Sequence, residues 1–391
     1  MMKTGSNRIP SMSRNMKILL IAGSMPNHPC GVGDYTARLA EEVALRGATV
    51  YVLTTDRPEI QVPKGDGVQV IKAVPSWRLI HLPQLLRRIK EIRPDLVHVQ
   101  YPTSGYGRNL LIPLFPLVHR LFFRKIPLVA TLHEMSIAHW LRKVSQIFLI
   151  SLSDYVIVPD DRERQSLLGW SKKLASRSRV IPIGANIEFM ENPKAGSSTR
   201  LKDPYIVYFG FYSNSKDLNM LLEAFKKISQ SLIQCRLVMI MELVRGNREH
   251  ERFADLLVSL GLTDSVTITG YCARDRVSRY LSEAAICVLP FSDGVSLRRT
   301  SFLTALHFGL PTITTAVKDY PDILHNWENV VLVPVGDSPA LAEAILKLLT
   351  EPELRGRISE NARQLSGRFS WTGIAEEHLD LYRALMKRIE T

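Results

Sequence analysis

The sequence predicts an α/β protein of two domains, the first built on a doubly wound parallel sheet, and three observations carry that prediction. Continuous apolar runs, as expected of parallel strands covered on both faces, recur along the whole chain. They alternate with stretches of helical periodicity, as repeated βα units require. The chain, at 391 residues, has room for two cores, and its periodicity lapses over 187–204 (IEFMENPKAGSSTRLKDP), where Pro, Gly and Ser gather. The expected division is a flexible N-terminus over 1–15, a first domain over 16–186, a linker over 187–204, a second domain over 205–370 and a terminal helix over 371–391.

In the first domain, MKILLIA at 16–22 reads as the opening strand, followed by the loop GSMPNHPCGVGDY and an amphipathic helix over 35–46 that Gly47 ends. Further strands are expected at 49–54, 68–71, 96–100, 128–132, 155–158 and 179–182, with helices at 79–91, 109–122, 139–151 and 162–170. The second domain repeats the pattern. Its strands fall at 205–209, 236–241, 266–269, 285–289, 312–315 and 330–334; its helices fall at 218–228, 248–260, 276–284, 299–308, 339–350 and 353–367. A long amphipathic helix over 371–389 closes the chain.

Composition excludes several classes. With 46% apolar residues, 8% aromatic, and 22 each of Gly and Pro, the chain is neither disordered nor fibrous. Cys30, Cys235, Cys272 and Cys287 form no CxxC and have no histidine at ligand spacing, which argues for a reducing compartment and against structural zinc. The opening MMKTGSNRIPSMSRNMK lacks the apolar core of a signal peptide, and Met16 is a candidate start. The most apolar run, 110–118, is broken by Pro113 and Pro116 and falls far short of the ~20 residues that span a bilayer. A cytoplasmic location is expected.

The net charge of +12 is unevenly placed: residues 1–190 hold 26 Lys and Arg against 14 Asp and Glu, and residues 191–391 hold 24 against 24. The first half is thus the part suited to an anionic partner. Nothing resembles a nucleic-acid-binding module, so nucleic acid ranks below a phosphorylated acceptor or an anionic membrane surface. Three segments there mix cationic and bulky apolar groups, namely WRLIHL from Trp77, LLRRIK from Leu85 and LVHRLFFRK from Leu117. Helices of that kind lie on anionic bilayers, although the same pattern describes an ordinary helix with its apolar side in the core.

The stretch VLPFSDGVSLRRTSFLTALHFGLPTITT at 288–315 concentrates the chemistry. It reads as a strand, a polar loop turning at Asp293-Gly294, a short helix with Gly309 as its left-handed cap, and a second strand. Such a unit aims its helix N-terminus at the crevice beyond the strand ends. The N–H groups of Thr300 and Ser301 can hold an anion there, and Arg298 and Arg299 can fork onto the oxygens of a diphosphate. Lys216, in the loop that Gly210 opens, is a further cation; no D-x-D is present to hold a divalent ion, so neither metal nor cofactor is expected. In the first half Gly31 and Gly33 open a helix where a ligand can approach the backbone, although a tight turn needs glycines equally. His133 and its neighbour Glu134 end a strand on the ligand-facing side of the sheet. Asp56 beyond the second strand keeps a dinucleotide site open as an alternative, but Thr36 breaks G-x-G-x-x-G.

Taken jointly, PCGVGDYTARLAEEVALRGATVYVLTT, DLVHVQYP, LVATLHE, VIPIGANI, YFGFYSNSKDLNMLLEAF, VTITGY, VLPFSDGVSLRR with ALHFGLPTITT, and FSWTGIAEEHLDLY resemble the retaining, group 1 (GT4) glycosyltransferases of GT-B fold from residue 16 to about 382. The resemblance implies two Rossmann-like domains facing a cleft, a nucleotide-sugar donor held by the second domain and an acceptor received by the basic first domain. It implies that Lys216, Arg298 and Arg299 meet the donor diphosphate and that His133 lies near the transferred sugar. Gly31, Gly33, Gly210, Tyr271, Asp293, Gly294, Thr300, Ser301 and Thr304 would line the donor site, and the closing helix would cross back to the first domain. Three departures stand out: Phe211 replaces the usual arginine after Gly210, Thr304 replaces the second glutamate of E-x7-E, and ELVRG replaces a glycine-rich turn. Arg298 or Arg299 is placed to substitute for the missing cation.

The expected function is transfer of a sugar from a nucleotide-diphospho sugar to a glycan or lipid-linked acceptor, with retention and without metal, in cell-surface polysaccharide or glycolipid synthesis. Peripheral attachment to the cytoplasmic membrane face is expected with it. Phe211 and Thr304 motivate an alternative, a non-catalytic relative that binds a nucleotide sugar or glycan. Gly31, Gly33 and Asp56 motivate a weaker one, an NAD(P)-dependent oxidoreductase.

Overall fold

The structure, a computed structural model, describes residues 15–26, 30–58, 60, 67–134, 140–187, 204–230 and 235–390. The expected N-terminal extension over 1–15 and the linker over 187–204 fall almost entirely outside the described residues, as does the predicted helix start at His139. The chain forms two compact units, one of Met1–Ile181 with Ile374–Thr391, the other of Pro182–Gly373.

In the first unit, strands β1 (Lys17–Ile21), β2 (Thr49–Thr55), β3 (Val68–Val74), β4 (Leu96–Tyr101), β5 (Leu128–Leu132), β6 (Tyr155–Val158) and β7 (Ser178–Val180) form one sheet in the order β3-β2-β1-β4-β5-β6-β7. Every pairing is parallel. Helices α1 (Gly31–Leu45), α2 (Leu82–Ile92), α3 (Leu111–Phe122), α4 (Trp140–Ser151), α5 (Asp161–Trp170) and α6 (Lys172–Ala175) make the crossovers. β4 and β5 are buried at every position, which explains why LVATL reads as an apolar run, and why His98 and Gln100 of LVHVQY stand inside the protein. Leu19, Trp77, Leu85, Phe115 and Leu149 belong to its core.

In the second unit, β8 (Tyr205–Phe209), β9 (Arg236–Ile240), β10 (Val266–Ile268), β11 (Ile286–Leu289), β12 (Thr312–Ala316) and β13 (Val331–Pro334) are ordered β10-β9-β8-β11-β12-β13, again all parallel. Its helices are α7 (Leu218–Ser229), α8 (Arg248–Ser259), α9 (Arg274–Glu283), α10 (Thr300–His307), α11 (Ser338–Thr350) and α12 (Pro352–Ser366). The helix α13 (Trp371–Glu390) follows, and from Ile374 onward it belongs to the first unit.

Each sheet therefore has a topological switch point, between β1 and β4 in one and between β8 and β11 in the other, where open α/β sheets take their ligands. Differences from the sequence-based elements are local. The first helix starts at Gly31 rather than at 35, because Cys30 serves as its N-cap and its carbonyl already accepts from the N–H groups of Gly33 and Asp34. The expected helix over 79–91 begins as a 3-10 turn over Leu79–His81, and the short α6 had not been predicted.

Candidate functional site

At the switch point of the second unit, β8 delivers the chain to Gly210, whose φ of +148° suits glycine. A Cβ there would run into the Lys216 ammonium, so the missing side chain makes room for that cation. Asp217 caps α7 by accepting from the Met220 N–H at 3.0 Å, and Lys216 forms a bridge to Phe291 beyond β11. Two anchors thus fix the lysine backbone. Its Nζ donates to the Phe211 carbonyl at 2.8 Å and lies 5.6 Å from the centre of the Tyr208 ring. Burial, and after it the Arg299 charge, brings the Lys216 pKa down to about 8.

Arg299 reaches the same corner from the other side. Its guanidinium sits 4.5 Å from the centre of the Phe291 ring, donates to Ser215 Oγ at 3.2 Å and pairs with the Asp293 carboxylate. Lys216 and Arg299 are therefore brought together, as expected, and Asp293 is found on the arginine. Gly294 (φ +81°) turns the loop so that the Val295 N–H donates to the Thr315 carbonyl at 2.8 Å. A Cβ on Gly294 would come within 3.1 Å of Val317.

α10 starts directly after Arg299, which as N-cap offers no side-chain bond; the Leu303 N–H makes the first bond, to the Arg299 carbonyl. The N–H groups of Thr300 and Ser301 precede that bond, and Gly309 (φ +62°) closes the helix in the left-handed conformation expected of it. Thr304 is fully buried and its Oγ1 has no hydrogen-bond partner among the described residues. Arg298 is half-buried beside Arg299. Tyr271, in the loop after β10, is 74% exposed.

The first unit has a second constellation. Among the described residues nothing lies within 4 Å of where a Cβ on Gly31, the first residue of α1, would stand, whereas Gly33 is packed 3.0 Å from the Ser24 backbone. Gly33 thus serves the protein's own close packing, and Gly31 leaves backbone accessible. His133 follows β5 and is 7% exposed; its N–H donates to the Tyr101 carbonyl at 2.9 Å and its Nε2 lies 2.9 Å from Gln100 Oε1. The Tyr35 ring stands edge-on to it at 5.0 Å. Burial, with His378 adding to it, pushes the His133 pKa down to about 3, so the imidazole is neutral at physiological pH.

Behind His133 is a buried network that sequence reasoning missed. The Gln100 amide nitrogen is 3.2 Å from His98 Nε2, and His98 is held by Thr131 Oγ1 at 2.7 Å and by the Tyr382 hydroxyl at 2.6 Å. His378 of α13 lies 3.3 Å from the Tyr35 hydroxyl, its Nδ1 donating to the Ile374 carbonyl at 2.7 Å. The available signal was polar residues two apart, His98 and Gln100, in the otherwise apolar strand LVHVQY. Asp56 is exposed, and its N–H is taken by the Val74 carbonyl.

Of the three basic-apolar segments, the second turns its apolar groups inward and the first does so only at Trp77. Trp77 is fully buried with its Nε1 donating to Thr55 Oγ1 at 2.8 Å, and Leu85 and Ile89 are core. Leu79 and Ile80 of the first remain exposed. The third differs: Leu117, Leu121 and Phe122 of α3 are exposed, as are Val144 and Phe148 of α4, against which α3 packs. Among the described residues no helix is long and apolar enough to cross a membrane.

Comparison with known proteins gives the family. The model of group 1 glycosyl transferases matches residues 190–365, and that of glycosyltransferase family 4 matches residues 29–189. Among relatives, an α-D-kanosaminyltransferase of Streptomyces kanamyceticus is 23% identical, covering 89% of this chain and 98% of its own. A phosphatidyl-myo-inositol mannosyltransferase of Mycobacterium leprae is 23% identical over 95% of this chain and 97% of its own. The fold is shared with a sucrose-phosphate synthase of Thermosynechococcus elongatus (TM-score 0.76, 22% identity, 96% of this chain and 100% of that one). It is shared also with HepE of Anabaena, solved with UDP and glucose (TM-score 0.71, 16% identity, 95% and 100%). The family matches overturn the NAD(P)-dependent oxidoreductase alternative. With its two parallel-sheet Rossmann-like units of GT-B fold, the chain belongs to the GT4-like, group 1 glycosyltransferases.

Proposed function

We propose that the protein transfers a sugar from a nucleotide-diphospho-sugar donor to a glycan or lipid-linked acceptor, with retention and without a metal ion, in the synthesis of a cell-surface polysaccharide or glycolipid. The observation that carries this reading is the convergence of Lys216 and Arg299 at the switch point of the second unit, beside the uncapped start of α10. Departure of a nucleoside diphosphate leaves negative charge on its terminal oxygens. Fixed cations and amide dipoles aimed at that charge lower the barrier without reorganising during the reaction. Arg299 is already oriented by Ser215 and Asp293, and Lys216 by Phe211, so both stand pre-set. HepE, solved with UDP and glucose, supports a nucleotide-sugar donor.

The partly desolvated Lys216 gives a second support. A cation depressed to about pH 8 by burial and by a neighbouring cation gains most from an anion placed between the two. Donor turnover measured with EDTA present tests the reading, and loss of activity on chelation contradicts the metal-free site. Nucleotide binding without turnover across a broad donor and acceptor panel would instead favour the non-catalytic alternative, to which the Thr304 hydroxyl, without a partner among the described residues, lends a specific observation.

For the acceptor side we propose that the first unit works at the anionic cytoplasmic face of a membrane, through the exposed apolar groups of α3 and α4. Residues 96–153 carry Arg108, Arg120, Arg124, Lys125, Arg142 and Lys143 against the single acid Glu134. A stretch that combines exposed apolar groups with an excess of one sign of charge suits an anionic bilayer surface. The M. leprae relative, named for a phosphatidyl-inositol substrate, supports a lipid-linked acceptor. Equal sedimentation with neutral and anionic vesicles would count against this placement.

A further inference from the structure

His133 is a neutral imidazole, and a neutral imidazole has two tautomers that offer opposite chemistry: one nitrogen donates, the other accepts. Which is which is decided by the bond made on the side away from the ligand. Here that bond is to Gln100, fully buried on β4, whose Oε1 lies 2.9 Å from His133 Nε2. A carbonyl oxygen can only accept, so His133 must donate through Nε2. The other end of the same amide, its NH2, faces His98 at 3.2 Å from Nε2 and 3.4 Å from Nδ1. His98 is held in turn by Thr131 of β5 and by Tyr382 of α13. The amide thus lies between the two histidines, its oxygen toward His133 and its nitrogen toward His98.

We propose that Gln100 is a positioning residue: it accepts the Nε2 proton of His133, fixes that ring as the Nε2–H tautomer, and so leaves Nδ1 as the lone pair presented to a ligand hydroxyl. This rests on the proposed reading only in taking that hydroxyl to be one of the transferred sugar. The anchor of the device is Tyr382, 284 positions from the His98 that it holds. Among the described residues Tyr35 of α1 and His378 of α13 are the other titratable groups facing the ring, with His98 behind Gln100, two positions away on β4. Glu134 beside it is exposed.

The test reads the ring itself. Long-range proton–nitrogen correlation spectra of the full chain labelled with 15N-histidine, with His133 assigned by its loss in H133N, report which nitrogen carries the proton. The expected result is protonation at Nε2 in the native protein and a shift toward Nδ1–H in Gln100→Leu. An Nδ1–H signal in the native protein, or an unchanged His133 spectrum in Gln100→Leu, overturns the proposal. Should that variant fail to fold, the near-isosteric Gln100→Glu serves: its carboxylate keeps the acceptor and raises the His133 pKa into the range of pH 5–8. An unmoved titration there overturns the proposal equally. Where turnover can be followed, Gln100→Leu should lower kcat about tenfold with donor KM nearly constant, as loss of orientation rather than of affinity predicts. The spectra need no substrate, so an absence of turnover would sink the proposed function alone, and an unchanged spectrum this inference alone.

Discussion

The two sheets share one strand plan, with the first strand flanked by the second and fourth and the order reversing between first and fourth. Yet their switch points are furnished in opposite ways. In the second unit the corner is charged and fixed by short-range contacts, with Lys216, Ser215, Phe291, Asp293 and Arg299 all on two loops. In the first unit the corresponding region is neutral, its histidines kept uncharged by burial and its hydrogen bonds carried through the sheet to α13. On the proposed reading, one topology supports both a site that recognises charge and a site that orients a neutral group. The fold supplies the place, and a few side chains supply the chemistry.

The contrast is broken most directly at Lys216. Lys216→Ala should reduce kcat/KM for a nucleotide-sugar donor by about 100-fold or more, the usual loss when one preorganised donor to a leaving anion is removed. A reduction under threefold in steady-state assays would mean that the charged corner is not where the diphosphate goes. Gly210→Ala should follow with a loss on the order of tenfold, since a Cβ at φ +148° is strained and displaces the Lys216 ammonium. Calorimetry of nucleotide diphosphate binding should show this as weakened affinity.

Dependence on pH sharpens the comparison. For a nucleotide-diphospho sugar, whose diphosphate is esterified at both ends and does not itself titrate here, bound anion favours protonated Lys216, so affinity should be flat below about pH 8 and fall as pH rises through that value, while Lys216→Ala should lose the effect. A decline on acidification between pH 7 and 5 would point instead to a histidine, against the neutral His133 described here. Smaller still, Tyr382→Phe should destabilise the protein by about 1 kcal/mol through loss of one buried hydrogen bond, read as a lower Tm. On the surface, Leu121→Asp with Phe122→Asp should reduce sedimentation with anionic vesicles and leave donor turnover on a soluble acceptor unchanged.

These contrasts also explain what could be read from the chain. β5, β6 and β8 match the expected bounds because apolar runs flanked by turns leave little freedom. α1 was misjudged at its start, since glycines at its first and third positions carry the local signal of a loop while Cys30 supplies the turn geometry. In the second unit, Gly210, Lys216 and Arg299 were legible because loop glycines and cations near a helix start have a local meaning. Tyr208 and Phe291, which place them, were not, because their roles depend on which strands are neighbours. Gln100 and His98 were less legible again. Their meaning comes from Thr131 and Tyr382, and no pattern within a window of the sequence joins residues 98 and 382.

The return of α13 has a consequence for synthesis. On the ribosome the whole second unit, 182–373, emerges before the segment that closes the first, so the half of the protein translated earliest is completed last. Until Tyr382 and His378 arrive, His98 and the Tyr35 hydroxyl lack these helix partners. A released chain truncated at residue 373 should therefore contain every residue of the second unit while the first lacks its closing helix, and chaperone occupancy should concentrate on that earlier-made half.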